Sequence, residues 1–182
     1  MSFLLCLLFS YICGCINGAY YIGLFIYKRD IRSAGSHNAG ARNAGRVFGR
    51  IAFIATVIID TLKTVFPILL TIYFYGDSFL IMFLVTVSIM IGHVWPIQLK
   101  GQGGKGVVVY LAALLVFKPV ILLFVAIVVA LGPVLHMRFT YIGLTSLSIV
   151  PIILSFFSNF ELAFLFITLL FIVLLAHRKE PS

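Results

Sequence analysis

Two short segments of this chain combine residue types that bind phosphate. The first is IRSAGSHNAGARNAGR, residues 31–46. Its hydrogen-bonding and glycine positions include Ser36, Asn38, Gly40, Asn43 and Arg46. Glycine permits positive φ and close backbone approach, so successive N–H groups can turn toward one anion, and arginine adds a planar fork that matches phosphate oxygens. We therefore predict an anion-binding loop here, with a flexible linker as the alternative.

The second segment is KGQGGKG, residues 100–106. It resembles a nucleotide-binding P-loop in composition only, because that motif needs a glycine where Leu99 stands and a serine or threonine where Gly106 stands. A nucleotide site of that kind is excluded. Backbone and ammonium groups could still bind a phosphate, with loop flexibility as the alternative. The candidate residues are Gly103, Gly104, Lys105 and Gly106.

Three ionisable residues fall within or at the end of apolar runs. Asp60 and Lys63 are three positions apart and therefore share one helix face. Charges within a membrane span are costly unless they are paired, which makes both residues functional candidates, although mutual neutralisation for structure is equally open. His93 precedes Trp95-Pro96, and a lone histidine in that setting is more often an interfacial or packing residue than a catalyst.

Familiar catalytic machinery is missing from the sequence. No histidine is followed five residues later by aspartate, the G-x-S-x-G motif does not occur, and no cysteine–histidine spacing suits a metal. Because Asp+Glu total only 5, carboxylate acid–base chemistry has few candidates. We expect no metal, no cofactor and no nucleic-acid partner, and we expect a surface that holds anions.

The composition calls for a bilayer around these segments. Of 182 residues, 63% are hydrophobic and 10% are charged, and the mean hydropathy is +1.20. A soluble domain needs far more charge to cover its surface. We predict an all-α polytopic integral membrane protein with about seven transmembrane helices, formed as a single membrane-embedded domain over residues 1–182. The apolar runs are 3–27, 51–75, 79–97, 107–117, 119–136, 141–157 and 160–176.

Two of these runs are unusual. The run at 3–27 has no basic residue before Lys28 and is too long for a signal peptide, so we expect a retained first membrane helix. The run at 107–117 would reach only about 16 Å as a helix. We expect a half-helix there, a re-entrant piece, or a helix extended into the neighbouring glycine loop.

The basic residues predict the orientation. With the N-terminus outside, eleven lysines and arginines, Arg138 among them, fall on one side of the membrane, and only Lys118 falls on the other. Such a bias marks the first side as cytoplasmic and places the C-terminus there as well. All four histidines, including His177, lie at or near that side. For any single lysine or arginine, a role in topology alone is an equal alternative.

Several motifs resemble those of the bacterial acyl-phosphate:glycerol-3-phosphate acyltransferases, the PlsY family. Residues 35–46 are similar to that family's first cytoplasmic motif, G-S-x-N-x-G-A-T-N-x-x-R, and residues 60–63 to its D-x-x-K. Residues 92–107 resemble its G-H-x-x-P and G-G-K-G-V segment. Arg138 and His177 fall where the family has a third-loop arginine and a C-terminal histidine. The match is collinear over nearly the whole chain.

The resemblance implies a seven-helix enzyme of the bacterial plasma membrane, with its active site facing the cytoplasm. Such an enzyme transfers a fatty acyl group from acyl-phosphate to the 1-hydroxyl of glycerol 3-phosphate and forms lysophosphatidic acid. It also implies that Ser36 hydrogen-bonds a substrate, that Arg46 clamps phosphate, and that His177 closes the site. The other implied substrate-binding positions are Asn38, Gly40, Arg42, Asn43, Asp60, Lys63, His93, Gly103, Gly104, Lys105, Gly106 and Arg138.

Four positions depart from the family's pattern. Arg42 and Val109 replace threonines, Tyr141 replaces a serine and Glu180 replaces an asparagine. A divergent member that acylates a different acceptor is therefore one alternative. A membrane transporter for a phosphorylated or anionic solute is another, since charged residues in a span and half-helices are features of transporters. A non-catalytic lipid-binding protein is the third.

Overall fold

The computed structural model describes residues 3–134, 136, 138–157 and 159–178, so Glu180 lies outside the described residues. Every regular element in that part of the chain is helical, which confirms the all-α prediction. Short 3-10 turns occupy Ile31–Ser33 and Ile97–Leu99. The α-helices are α1 (Phe3–Cys15), α2 (Gly18–Phe25), α3 (Ala41–Phe48), α4 (Arg50–Tyr75), α5 (Phe79–Val94), α6 (Val107–Phe117), α7 (Ile121–Val134), α8 (Phe139–Phe156) and α9 (Phe160–His177).

Among the described residues, three apolar segments are long enough to cross a bilayer as single helices. They are Arg50–Tyr75, Phe79–Leu99 and Phe160–His177. Helices α1 and α2 pass the same test together but are bent by 50°. Helices α6, α7 and α8 are apolar but shorter. The short helix predicted at 107–117 is confirmed, because α6 has 11 residues.

The single helix expected over 3–27 is instead two helices, and the break has a local cause. Asn17 caps α2, and its Oδ1 accepts a hydrogen bond from the Tyr20 amide at 3.1 Å. The next residue, Gly18, packs tightly against α4, since a Cβ there would lie 3.2 Å from the Thr56 carbonyl oxygen. A side-chain cap of this kind offers the backbone an alternative to the continuous helix.

Close backbone contacts hold helices α1 and α5 against each other. Gly14 of α1 and Gly92 of α5 let the two backbones touch, since a Cβ on either glycine would overlap a main-chain carbonyl of the other helix. Small residues serve this purpose in membrane proteins. Deeper in the bundle, the Tyr110 hydroxyl donates to the Leu147 carbonyl at 3.0 Å and its ring meets Phe166 edge-on. The helix ends that carry the loops are therefore held by direct packing.

The segment 31–46 is not the continuous loop that its glycines suggest. Its second half belongs to α3, which begins after the N-cap Gly40 at φ −123° and ends at Gly49. Gly35 has the positive φ expected of a nest residue, 64°. The arginines and the asparagine of this half are therefore fixed on a helix, on which Asn43 is buried and Arg46 is exposed.

Candidate active site

A cavity of about 480 Å³ lies where the segment after α2, the segment after α5 and the end of α9 meet. We call residues 32–40 the first wall and residues 100–105 the second wall. Among the described residues, three cations line the cavity, Arg32, Lys100 and Lys105, so its charge suits an anion. The other lining residues are Ser36, His37, Asn38, Val94, Trp95, Gly101, Gln102, Gly103, Gly104 and Ala176.

One buried amide shapes the first wall. Asn43 is only 1% exposed, and its Nδ2 donates to the carbonyls of Ala34 at 2.9 Å, Asn38 at 3.0 Å and Ile31 at 3.2 Å. Its Oδ1 accepts from the Ser36 amide at 2.9 Å. A helix residue thus gathers the carbonyls of the preceding segment and holds Ser36 and Asn38 at the cavity.

Arg32 joins the first wall to the residue that precedes the second wall, a role for which the sequence analysis did not single it out. Its Nη1 donates to the Leu99 carbonyl at 3.0 Å, and its guanidinium lies over the Tyr20 ring at 5.1 Å. Its Nη2 pairs with Asp30 at 2.7 Å. The side-chain hydrogen bond between them lowers the pKa of Asp30 and raises that of Arg32. The aspartate two residues before Arg32 is the sequence signal that could have found it.

His37 is a second lining residue that the sequence did not single out. Its backbone is left-handed, with φ 55°, and its Nδ1 lies 2.9 Å from the Arg32 carbonyl oxygen. Because a carbonyl only accepts, Nδ1 donates, which leaves Nε2 as the acceptor of the neutral ring. Its position beside Ser36 is the only hint that the sequence offers.

Two backbone amides of the second wall that were candidates to bind a phosphate already have partners in the chain. The Gly103 amide donates to the Val94 carbonyl and the Gly104 amide to the His93 carbonyl, both at 3.1 Å, so both amides cap the end of α5. Glycine is required at position 103, because a Cβ there would overlap the His93 carbonyl. The Gly103 carbonyl accepts from the Ala39 amide at 3.4 Å, which joins the two walls.

Five of the predicted site residues line the cavity, and the remainder lie elsewhere. The five are Ser36, Asn38, Gly103, Gly104 and Lys105. Gly40 and Gly106 are the N-caps of α3 and α6. Asn43 lies behind the first wall, whereas Arg42 and Arg46 are exposed on α3. Arg138 is the exposed N-cap of α8, and His177 ends α9 one residue after the lining Ala176.

Asp60, Lys63 and His93 form a buried cluster beneath the second wall. The Lys63 ammonium lies 2.9 Å from Asp60 Oδ1 and 2.8 Å from His93 Nδ1. The pairing predicted from the spacing of Asp60 and Lys63 is therefore confirmed. The ammonium also donates to the Ile16 carbonyl at 2.6 Å, and Asp60 Oδ1 accepts from the Gly18 amide at 3.3 Å.

The structure places three of the four departures from the family pattern. Arg42 Nη1 donates to the Thr140 hydroxyl at 3.4 Å, and Tyr141, which is 57% exposed, is the next residue of α8. Val109 is fully buried in α6. The departure at Arg42 therefore changes a contact between α3 and α8, the departure at Tyr141 changes an exposed side chain of α8, and the departure at Val109 changes the core.

The chain is similar to proteins of known activity. The family model described as glycerol-3-phosphate acyltransferase matches residues 4–182. Glycerol-3-phosphate acyltransferase 1 of Bacillus cereus (strain ATCC 10987) is 35% identical over 149 residues, which cover 82% of this chain and 81% of that protein. The glycerol-3-phosphate acyltransferase of Pelagibacter ubique is 34% identical over 183 residues, 99% of this chain and 92% of its own.

Two crystal structures of PlsY, an integral membrane glycerol 3-phosphate acyltransferase, share the fold. The glycerol 3-phosphate form superposes with a TM-score of 0.87 at 27% identity and covers 98% of this chain and 90% of its own. The lysophosphatidic acid form gives 0.83 at 26% identity and covers 98% and 89%. The similarity thus extends over the cavity and both of its walls.

Proposed function

This chain belongs to the glycerol-3-phosphate acyltransferase family, and we propose that it acylates glycerol 3-phosphate at the cavity between its two walls. It is an acyltransferase of phospholipid synthesis, embedded in a membrane by its apolar helices. The observation that carries the site is the set of three cations, Arg32, Lys100 and Lys105, around a cavity that Ser36 also lines. A doubly charged phosphate fits such a lining by charge and by hydrogen bonding.

The proposed donor is an acyl-phosphate. The 1-hydroxyl oxygen of glycerol 3-phosphate attacks the acyl carbonyl carbon, an ester bond forms, and the bond from that carbon to the phosphate oxygen breaks. The hydroxyl proton leaves on the released phosphate, so no protein base is required. Two phosphorylated substrates repel each other, and cations around them offset that repulsion.

We assign the acceptor to the first wall and the donor to α3. Ser36 and Asn38 line the cavity and are positioned to hydrogen-bond the acceptor. Arg46 is exposed on α3, the helix that follows the first wall, where it is accessible to the phosphate of a donor held by the bilayer. His177 lies at the end of α9, where the cavity ends at Ala176, and we assign it to closing the site.

We propose that the bent pair α1–α2 and the helices α4 to α9 make seven crossings. The N-terminus is outside and the C-terminus is cytoplasmic in this arrangement. The basic residues of both walls lie at one end of the bundle, together with the ends of α5 and α9. The positive-inside rule supports a cytoplasmic location for that end, and hence for the active site in a bacterial plasma membrane.

The buried charges of α4 do not favour a transporter. In a transporter, charged groups at a broken helix serve a solute or an ion. Here the ammonium of Lys63 already occupies the position at the break where a cation would bind, with three oxygen or nitrogen atoms within 2.9 Å. The cations Arg32, Lys100 and Lys105 lie instead at the cavity.

A reconstitution experiment tests the proposal. Purified protein is given radiolabelled glycerol 3-phosphate with either acyl-phosphate or acyl-CoA, and the product is separated as lysophosphatidic acid. We expect product from acyl-phosphate and none from acyl-CoA. Product from acyl-CoA alone would contradict the proposed donor, and no product from either donor would contradict the proposed reaction.

A further inference from the structure

A buried series of contacts connects the break between α1 and α2 with the second wall. We propose that Asp60, Lys63 and His93 are positioning residues, which fix the ring of His93 against Gly104 and thereby set the shape of the acceptor site. The inference rests on the proposed function, because it concerns how the same cavity is held in shape.

In the first of these contacts, the charges of Asp60 and Lys63 pair with helix ends. The break leaves the Ile16 carbonyl free at the end of α1 and the Gly18 amide free at the start of α2. Lys63 donates to that carbonyl at 2.6 Å, and Asp60 accepts from that amide at 3.3 Å. Each charge thus meets the helix end of opposite partial charge. The ion pair is held at both ends and anchors the break on α4.

The next contact fixes the ring of His93. An ammonium group only donates, so His93 Nδ1 accepts from Lys63 at 2.8 Å and the neutral ring carries its proton on Nε2. The side chain of His93 is 3% exposed and that of Lys63 is 2% exposed. With Nδ1 bound to Lys63, the opposite edge of the ring points away from the ion pair.

That opposite edge of the ring faces the second wall. A Cβ at Gly104 would overlap His93 Nε2 and would lie 2.6 Å from Cε1. The Gly104 amide meanwhile donates to the carbonyl of the same histidine at 3.1 Å. The second wall therefore packs against the ring of His93 and is hydrogen-bonded to its main chain. A displaced ring would move Gly104, which lines the cavity, and with it the neighbouring Lys105.

Two substitutions of His93 separate its two edges. In His93→Asn, the side-chain oxygen can take the place of Nδ1 as acceptor for Lys63, while the atoms that face Gly104 are lost. In His93→Gln, the longer side chain keeps a polar atom near the place of Nε2 but removes the acceptor beside Lys63. The first variant makes room for a methyl group at position 104, and the second does not.

The test is a double-mutant cycle with Gly104→Ala, with KM for glycerol 3-phosphate and kcat measured separately. We expect Gly104→Ala alone to raise KM about tenfold with little change in kcat, since weaker acceptor binding affects ground and transition states alike. In the His93→Asn background the same change should raise KM less than about twofold, and in the His93→Gln background about tenfold again. Gly143→Ala is the control, because a Cβ there meets nothing within 4 Å.

The outcomes separate this inference from the proposed function. Equal effects of Gly104→Ala in the wild-type and His93→Asn backgrounds would overturn the inference while transfer activity persists. A fall in kcat with KM unchanged would overturn it too. If wild-type protein neither transfers an acyl group nor binds glycerol 3-phosphate, the proposed function fails, and the inference fails with it. His93→Ser, which also vacates the space at Gly104, repeats the cycle if His93→Asn does not fold.

Discussion

The two walls of the cavity have similar compositions but are held by different means. A side chain from outside the first wall, the Asn43 amide, gathers the carbonyls of that segment. The second wall is held by its own backbone, whose Gly103 and Gly104 amides cap α5. Both walls need glycine, but against different neighbours: a Cβ at Gly35, whose φ is 64°, would overlap the Asn43 side chain, whereas a Cβ at Gly103 or Gly104 would overlap His93.

The two glycine-rich loops serve the same cavity although different contacts hold their backbones in place. Both loops present cations to one cavity, Arg32 from the first wall and Lys100 and Lys105 from the second. The exposed arginines of α3 follow the first wall only. We therefore expect changes at the exposed arginines of α3 to affect the donor, changes at Asn43 to affect the fold of the first wall, and changes in the second wall to affect acceptor binding.

The largest expected effect is that of Arg46→Ala on donor use. We predict that kcat/KM for acyl-phosphate falls on the order of 10²–10³-fold, because a charge-assisted and bidentate phosphate contact is lost while the exposed side chain leaves no cavity. The thermal stability should be unchanged. Arg50→Ala is the matched control, since Arg50 is an exposed arginine at the start of the next helix. Near-normal turnover in Arg46→Ala would return Arg46 to a role in topology.

The next effect is that of Asn43→Ala on the first wall. The change removes four hydrogen bonds. The Ile31 and Ala34 carbonyls keep a backbone donor, but the Ser36 amide and the Asn38 carbonyl lose their partner, at about 1–3 kcal/mol for each such group. We predict a lower melting temperature and a fall in kcat/KM of roughly 10²-fold, because Ser36 and Asn38 lose their positions. Asn38→Ala, which removes a lining amide but none of these bonds, should leave the melting temperature near the wild-type value. Equal stability of both variants would show that Asn43 does not hold the wall.

A smaller effect is expected at the contact between α3 and α8. Arg42→Thr restores the residue of the family pattern and removes the bond to Thr140. We predict a several-fold shift of acceptor preference toward glycerol 3-phosphate in competition with other phosphorylated or carboxylated alcohols, whereas Arg46→Thr only lowers activity. A preference ratio unchanged in Arg42→Thr would assign Arg42 to topology.

The smallest effect concerns the ion pair that anchors Arg32. Because the hydrogen bond from Arg32 lowers the pKa of Asp30, this pair stabilises the fold above the ordinary carboxyl pKa of 3.8, and the contribution disappears as the pH falls through the lowered value. We predict that Asp30→Asn lowers the melting temperature slightly at neutral pH, since the pair is partly exposed. Melting curves from neutral to acidic pH should show the two proteins converging below about pH 4. A difference that grows toward acid pH would contradict this sign.

Much of the site was predictable because its composition is local. Ser36, Asn38 and Lys105 lie in short segments whose glycines and cations contrast with the apolar runs, and all three line the cavity. The pairing of Asp60 with Lys63 was also predictable, since residues three apart share a helix face.

The remainder depends on contacts between distant segments. The partners of the Asp60–Lys63 pair, Ile16 and Gly18, lie at the break between α1 and α2, far from α4 in the sequence. The break was missed because its local signal, the cap at Asn17, was not recognised. Helix α3 was missed because its glycine and asparagine are poor helix formers, and the contacts of Asn43 outweigh that propensity. Arg32 was missed because its role depends on the Leu99 carbonyl, which immediately precedes the opposite wall.

The most direct test of the central claim is the affinity of the purified protein for glycerol 3-phosphate, measured by titration calorimetry without a donor. Wild-type protein should bind, and Lys105→Met should bind at least about tenfold more weakly, since a charge-assisted contact to phosphate is lost. Lys118→Met is the control, because Lys118 follows the opposite end of α6 from Lys105. Its affinity should equal that of the wild type. Equal affinities of all three proteins would contradict the claim that the cavity between the two walls binds the acceptor.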